Sequence, residues 1–243
     1  MPAGRPRAPY ARAMAGEHRV AGHLGVTADE YDRTIRTFIP GYDRMVETVV
    51  HWLDGNVPPG GLVVDLGAGT GALGAAVLEA LPDVRVELVD IDPSMLEVAA
   101  ERCAAYAGRF QVRHASFSDE LPRCHAVIAS LALHHVPTQA EKRELYRSIY
   151  ESLEPGGLVV VADALLYDDG PERRRMIDDT FAHMGRNGIS RAEAEGHFAQ
   201  WAEEDVYVPL PQELALIADA GFPRPDVFWR GGMDAVYGAF KDA

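Results

Sequence analysis

From residue 60 onward, short apolar runs alternate with stretches in which apolar residues recur at helical spacing. The apolar runs predict five buried strands, over residues 62–66, 85–90, 110–115, 126–131 and 158–164. Helical spacing and start signals predict helices over residues 71–81, 93–107 and 138–153. This alternation is typical of a parallel sheet that is covered by helices on both faces.

The two ends of the chain follow a different pattern. Helical spacing runs from Thr27 to Phe38, is interrupted by Pro40-Gly41, and resumes over residues 42–53. Residues 168–204 are polar and helical in pattern and contain no predicted strand. A last helix over 211–221 precedes an antiparallel strand pair, predicted over 226–229 and 235–240.

Together these elements predict an α/β fold with a Rossmann-like, seven-stranded, mostly parallel sheet and an antiparallel C-terminal strand. Helices cover both faces, and the N-terminal helices and a helical insert form a lid. We expect a flexible basic tail over residues 1–26 and one domain over 27–243, with residues 168–204 as the lid insert.

Charge and cysteine content narrow the class of protein. The 243-residue chain has 37 acidic and 23 basic residues and a net charge of −14, which disfavours binding to long nucleic acids. Its apolar runs are too short for a membrane span, which needs roughly 20 residues. Cys103 and Cys124 have no metal-like spacing, so we expect a reducing, cytoplasmic setting, and no metal site.

A glycine-rich loop joins the first strand to the next helix, in the segment VVDLGAGTG over residues 63–71. A strand-to-helix junction presents free backbone N–H groups and the positive end of a helix dipole. Glycine lets a ligand approach this backbone closely. In open α/β sheets, ligands bind at this carboxyl edge of the strands, so the loop is a candidate ligand cradle.

Two cofactors suit this loop. Gly69, Gly71 and Gly74 match the dinucleotide fingerprint, and Asp90 ends the next strand, so an NAD-dependent oxidoreductase is one alternative. Asp65 lies at the end of the first strand, where it would repel a pyrophosphate but suit an ammonium group. The acidic stretch after Asp90 also suits a cationic ligand, which favours S-adenosylmethionine (SAM) with its sulfonium and ammonium groups.

The sequence resembles class I SAM-dependent methyltransferases over roughly residues 27–241. The segments that carry the resemblance are VVDLGAGTG at 63–71, LVDIDPSML at 88–96, SLALHHV at 130–136 and LEPGG at 153–157. By this resemblance Asp90 would bind the ribose hydroxyls, Ile91 would pack on the adenine, and the glycine loop would lie against the methionine part. The residues expected to contact the cofactor are Tyr42, Asp65, Gly67, Ala68, Gly69, Gly71, Asp90, Ile91, Met95, Ser116, Phe117 and Ser130.

A narrower resemblance is to the carboxy-SAM synthases of tRNA wobble-uridine modification and their methyltransferase relatives. It is carried by FIPGY at 38–42, SIY at 148–150, NG at 187–188 and the C-terminal strands. It implies that Tyr42 touches the cofactor. Those synthases hold the extra carboxylate with an arginine where this sequence has Phe198, which favours ordinary SAM. They also place an Asp near the adenine where this sequence has Ala115 and then Ser116.

Three polar residues near the ends of strands are candidates for the chemistry. Methyl transfer is an in-line displacement, so positioning matters most, and a base helps only where the acceptor loses a proton. His134 and His135 follow the fourth strand and Asp163 ends the fifth, so all three should lie beside the cofactor. Each also has a structural alternative, as a turn or helix cap.

The sequence therefore predicts a SAM-dependent methyltransferase that acts on a small-molecule acceptor through an O-, N- or C-nucleophile. A tRNA-modifying enzyme related to carboxy-SAM synthase is the alternative, and the NAD-dependent oxidoreductase is the third. A tRNA partner would need a local basic patch, such as Arg173 to Arg175. Aromatic residues in the N-terminal helices would suit a homodimer interface as well as a pocket. No membrane partner is expected.

Overall fold

A computed structural model describes residues 34–243 and contains a seven-stranded sheet. The proposed tail over 1–26 and the start of the first predicted helix at Thr27 lie outside the described residues. The strands lie in the order β3-β2-β1-β4-β5-β7-β6. Their bounds are β1 Leu62–Leu66, β2 Arg85–Asp90, β3 Phe110–His114, β4 Cys124–Ser130, β5 Leu153–Ala164, β6 Asp226–Gly231 and β7 Asp234–Phe240.

Strand pairing confirms the predicted sheet. The pairs β1–β2, β1–β4, β2–β3 and β4–β5 are parallel. β7 is antiparallel to both β5 and β6, so it is the one reversed strand of this sheet. The carboxyl ends of the first five strands therefore share one edge, where a bound ligand is expected.

Seven α-helices lie within the described residues. Their bounds are α1 Tyr42–Leu53, α2 Ala72–Ala80, α3 Pro93–Arg102, α4 Gln139–Ser152, α5 Pro171–Arg186, α6 Arg191–Trp201 and α7 Leu210–Asp219. Residues 34–38 are also helical. The starts of α3 and α4 are capped by the side chains of Asp92 and Thr138, and α6 has a full capping box between Ser190 and Glu193.

The structure corrects two predicted boundaries. The helix predicted over 93–107 ends at Arg102 and is followed by a 3₁₀ turn at Ala104–Tyr106. β5 begins at Leu153 instead of residue 158, because Leu153 already pairs with Cys124 before a bulge in the ladder. Within this stretch Gly156 takes a left-handed conformation (φ +76°). A glycine of this kind is also a common helix stop, so the sequence pattern placed the start of the strand too late.

Helices bury both faces of the sheet, as predicted. One apolar cluster joins the sheet to α1, α2 and α3, and includes Met45, Val77 and Leu96. The other joins it to α4 and α7, and includes Ile149 and Ile217. The central strands are consequently apolar on both sides, which explains their unbroken hydrophobic runs.

The insert helices α5 and α6 pack on the helical residues 34–38 that precede α1. Trp201 makes an edge contact with Phe38 at 5.4 Å between ring centroids. His183 Nε2 lies 2.9 Å from the carbonyl oxygen of Arg36. These contacts fix the insert against the N-terminal side of the domain. Within residues 34–243, none of the helices is both long and apolar enough to cross a membrane.

A buried ion pair connects α4 to α7. Lys142 Nζ donates to Glu213 Oε1 at 2.5 Å, and both side chains are almost completely buried. Tyr146 donates its hydroxyl hydrogen to Glu213 Oε2 at 2.8 Å. Burial raises the pKa of Glu213, and the Lys142 ammonium opposes that rise.

We expect Lys142→Met to lower the free energy of unfolding by about 3–5 kcal/mol, because it leaves the Glu213 carboxylate buried without its cation. Adding Glu213→Gln to that variant should restore part of the loss, since the amide is neutral. The control is Arg175→Ala, which breaks an exposed pair with Asp179 and should cost under about 1 kcal/mol. Urea denaturation measures all three, and equal losses for Lys142→Met and Arg175→Ala would contradict the account.

Candidate functional site

The glycine loop between β1 and α2 is wound into left-handed backbone. Gly67, Gly69 and Gly71 have φ values of +75°, +52° and +75°. The amides of Gly67 and Ala68 donate to the carbonyl oxygen of Val89 on β2 at 2.8 and 2.9 Å. The loop is thus tied to the neighbouring strand, and L side chains would be strained at its three glycines.

Two of these glycines are also in close contact with neighbouring elements. A Cβ atom at Gly67 would lie 2.6 Å from the Cβ of Ala132, and one at Gly71 would lie 2.9 Å from the Cβ of Ala99. At Gly69 a Cβ would meet nothing within 4 Å. The middle of the loop therefore faces open space, and a ligand can approach its backbone there.

Asp90, at the end of β2, accepts hydrogen bonds from two backbone amides at this edge of the sheet. Its Oδ2 accepts from the Gly69 amide at 2.8 Å and its Oδ1 accepts from the Asp92 amide at 2.8 Å. Burial raises the pKa of Asp90, while the two amides oppose the rise. Each carboxylate oxygen keeps lone-pair capacity for a further donor, such as a ligand hydroxyl.

Asp65 is a buried carboxylate near the end of β1. It is 1% exposed, and its Oδ2 has no hydrogen-bond partner of normal geometry among the described residues. Burial raises its pKa to about 7, although the Gly74 amide opposes this. Tyr42, the first residue of α1, is buried close enough for Asp65 to raise its pKa further. A cationic ligand would satisfy this carboxylate.

The other predicted cofactor contacts lie along the same edge. Ile91 follows β2 and is half-buried, and Met95 is buried in the first turn of α3. The ring of Phe117 lies 3.4 Å from the Cβ position of Gly67. Ser116 bonds Ser118 and Asp119 within its own turn. Ser130 ends β4 and is half-buried.

His134 and Asp163 form a buried pair after β4 and within β5. His134 Nδ1 lies 2.5 Å from Asp163 Oδ1, and the His134 amide donates to Asp163 Oδ2 at 3.0 Å. Burial alone would lower the pKa of His134, but the Asp163 and Asp205 carboxylates outweigh it and raise the pKa. Asp163 thus fixes the imidazole instead of capping the following helix.

The structure adds a carboxylate and a hydroxyl to this group that the sequence pattern did not reveal. Asp205, which follows α6, lies 3.1 Å from His135 Nδ1 and 3.8 Å from His134 Nε2. Tyr207 donates its hydroxyl hydrogen to Asp205 Oδ2 at 2.7 Å. Burial and the neighbouring His134 charge lower the pKa of His135, although Asp205 opposes this. Two imidazoles and a carboxylate in this arrangement have the donor types of a metal site.

Asp234, the first residue of β7, is a second carboxylate that sequence reasoning missed. It is fully buried, and neither Oδ atom has a hydrogen-bond partner of normal geometry among residues 34–243. Burial raises its pKa to about 7. It pairs with Ala164 at the end of β5, one position beyond Asp163 in the ladder. The available sequence signal was a charged residue directly before the strand predicted over 235–240.

Several residues of the insert make structural contacts. His197 and Trp201 pack on Phe38, at 5.0 and 5.4 Å between ring centroids. Phe198 packs on Phe181 at 5.2 Å and also joins the apolar group around Ala164. Within the Arg173 to Arg175 run, Arg173 donates to the carbonyl oxygen of Tyr167 and Arg175 pairs with Asp179.

We expect Gly67→Ala to destabilise the protein more than Gly60→Ala. Both glycines have φ +75°, so both changes carry the left-handed strain of about 1–2 kcal/mol. Only at Gly67 does the new Cβ meet another atom within 4 Å, which should add about 1–3 kcal/mol. Equal free energies of unfolding for the two variants would show that the loop does not depend on this close approach.

Comparison with known proteins identifies the domain. A family model described as a methyltransferase domain matches residues 64–159, which include the glycine loop, Asp90 and the histidine pair. The carboxy-S-adenosyl-L-methionine synthase of Shewanella amazonensis is 28% identical to this chain, over 90% of this chain and 92% of its own. The synthase of Campylobacter curvus is 26% identical, over 87% of this chain.

Solved structures agree with this match in fold. Human N-acetylserotonin methyltransferase in complex with SAM superposes with a TM-score of 0.59, at 21% identity over 97% of this chain. An O-methyltransferase family protein from Burkholderia thailandensis gives a TM-score of 0.66, at 19% identity over 97% of this chain. The chain spans 63–66% of the length of these two proteins.

The site fits SAM on its own geometry. The open face of the loop at Gly69 leaves room for a ligand, and the unpaired Oδ2 of Asp65 can accept a hydrogen bond from a cationic group. With the family match, these features decide between SAM and NAD in favour of SAM. Residues 64–159 therefore match a methyltransferase domain, the chain has the fold of SAM-dependent methyltransferases, and these likenesses support SAM as its cofactor.

Proposed function

We propose that the protein transfers a methyl group from SAM to a small-molecule acceptor by in-line displacement, with an O-, N- or C-nucleophile. The observation that carries this proposal is the buried carboxyl group of Asp65 at the cofactor edge, whose Oδ2 has no hydrogen-bond partner of normal geometry among the described residues. Such an edge suits a donor that carries sulfonium and ammonium charges and disfavours one that carries an extra carboxylate.

In this proposal the donor occupies the edge from β2 to β4. Asp90 accepts hydrogen bonds from the ribose hydroxyls, and Ile91, Met95 and Phe117 contact the adenine. Ser116 provides a polar contact at the edge of the adenine site. Asp65 and Tyr42 lie near the ammonium group.

The methionine part then lies along the glycine loop. Gly67, Ala68, Gly69 and Gly71 contact it through their backbone, and Ser130 closes its far end. The left-handed glycines support this role, because they keep side chains away from the ligand.

The acceptor would lie beyond β4, next to His134, His135 and Asp163. The nucleophile must approach the methyl carbon opposite the sulfur, while the C–S bond breaks and S-adenosylhomocysteine leaves. Asp163 holds the His134 ring in one orientation, so His134 and His135 present fixed nitrogen atoms to the acceptor. We assign this pair to positioning the acceptor beside the methyl group.

A carboxy-SAM synthase activity is the second candidate, because a curated relative with that name matches 90% of the chain. Two features of the chain favour methyl transfer over it. Phe198 stands where the resemblance places the carboxylate-binding arginine, and it lies in an apolar group with Phe181. Asp234, which pairs with Ala164 beside the apolar group of Phe198, would in its ionised form repel an extra carboxylate.

Mass spectrometry of the nucleoside released from the purified protein tests this choice. We expect SAM or S-adenosylhomocysteine. Carboxy-SAM as the main species would contradict methyl transfer and favour the synthase. Replacing Phe198 with Arg should increase affinity for added carboxy-SAM relative to SAM, because the guanidinium would pair with the extra carboxylate.

Asp90→Ala should weaken SAM binding by about tenfold to a hundredfold, because hydrogen bonds from two hydroxyls to a carboxylate are lost. Calorimetry measures the change. Glu97→Ala is the matched control, since Glu97 is an exposed acid on the adjacent helix α3. An unchanged Kd for Asp90→Ala would overturn the assignment of Asp90 to the ribose.

SAM binding should release protons near pH 7. Asp65 has a pKa of about 7 in the free protein, so it is partly protonated there, and the ligand ammonium would lower that pKa. Calorimetry in buffers of different ionisation enthalpy measures the release. Asp65→Asn should abolish it, while Asp234→Asn should retain it. Equal release in Asp65→Asn and the unmodified protein would contradict the ammonium contact.

A further inference from the structure

Two loops that are distant in sequence bring three potential metal ligands together. His134 and His135 lie in a 3₁₀ turn after β4, and Asp205 follows α6. The amide of Val206 donates to the carbonyl oxygen of His134 at 2.8 Å, which ties the two loops to each other. We propose that His134 Nε2, His135 Nδ1 and Asp205 Oδ1 bind a divalent metal ion of the zinc class.

The spacing of the three atoms suits one metal ion. Asp205 Oδ1 lies 3.1 Å from His135 Nδ1 and 3.8 Å from His134 Nε2, and all three ligand atoms lie within 4.8 Å of one another. Bonds of about 2.0–2.2 Å in tetrahedral or octahedral geometry place neighbouring ligand atoms about 3–3.5 Å apart. The 3.1 Å separation lies within this range, and the 3.8 Å separation exceeds its upper end by about 0.3 Å.

The partner of His134 leaves the correct nitrogen free for a metal. The Asp163 carboxylate, 2.5 Å from Nδ1, fixes the ring proton on that nitrogen. In the neutral ring the lone pair is on Nε2, which lies 3.8 Å from Asp205 Oδ1, too far for a direct hydrogen bond. In metal sites, the ring nitrogen of a ligand histidine that does not bind the metal commonly donates a hydrogen bond to a carboxylate.

A hydrogen bond also orients Asp205 and leaves one of its oxygens available. Its side chain is only 6% exposed, and Tyr207 occupies its Oδ2 at 2.7 Å. Its Oδ1 is buried and accepts no hydrogen bond of normal geometry from the described residues. A metal ion would satisfy this oxygen and the Nε2 of His134 together, and it would balance two buried carboxylates.

The donor set selects the class of metal. Two imidazole nitrogens and one carboxylate oxygen suit zinc and its neighbours in the first transition row, whereas magnesium and calcium prefer oxygen alone. The His135 side chain is 32% exposed, which provides a way in for the ion. Three protein ligands leave at least one coordination position open.

The open position gives the site a role in the proposed reaction. An oxygen or nitrogen atom of the acceptor would bind there and be held beside the methyl group. This role rests on the proposed methyl transfer, whereas the metal site itself does not. No motif spacing connects the histidine pair with Asp205, so the sequence alone predicts no metal site.

Metal titration of the chelator-treated protein tests the proposal without SAM or acceptor. Calorimetry should detect one Zn²⁺ per chain at this site and no comparable binding of Mg²⁺. Asp205→Asn and His135→Ala should each weaken Zn²⁺ binding by more than about tenfold, and Asp163→Asn by about tenfold to a hundredfold. His51→Ala, an exposed histidine on α1, should leave it unchanged.

Cobalt substitution adds a spectroscopic measurement. Co²⁺ bound at this site should give visible ligand-field absorption that His135→Ala alters and His51→Ala does not. Circular dichroism confirms that each variant is folded. If Zn²⁺ does not bind, or if Asp205→Asn and His135→Ala bind it as tightly as the unmodified protein, the three residues form a hydrogen-bonded cluster and the metal site is refuted. If Zn²⁺ binds at this site but SAM does not bind, only the proposed function fails.

Discussion

The parallel pairing of β1 with both β2 and β4 is the constraint on which the rest of the site depends. Asp65 pairs with Leu88 on one side and Ile128 on the other, so three strands end at one edge. This register brings the glycine loop against β2, where Gly69 donates to Asp90. Without it, Asp65 and Asp90 would be unrelated acids in the sequence.

Electrostatics then determines what this edge can bind. Asp65 and Asp234 are buried with raised pKa values, and Asp163 is buried against His134. Burying carboxylates is unfavourable unless cations or hydrogen-bond donors compensate them. The sulfonium donor and the proposed metal ion would supply positive charge at the two ends of the edge.

Much of the fold could be predicted from the sequence, because its signals are local. The apolar runs of β1 and β2 and the start of α3 at Pro93 give these bounds directly. The glycine loop and Asp90 also predicted the class of cofactor. Asp205 could not be predicted, since only the packing of the insert brings it to His135. The Lys142–Glu213 pair was missed for the same reason, because helical periodicity does not show which polar residues are buried together.

The crystal structure of the protein with S-adenosylhomocysteine is the most direct test of the central claim. We predict that the ribose hydroxyls lie within about 2.6–3.2 Å of the Asp90 carboxylate. We also predict that the homocysteine part follows the glycine loop from Gly67 to Gly71. A ligand bound at another edge of the sheet, or a ribose without contact to Asp90, would contradict the account.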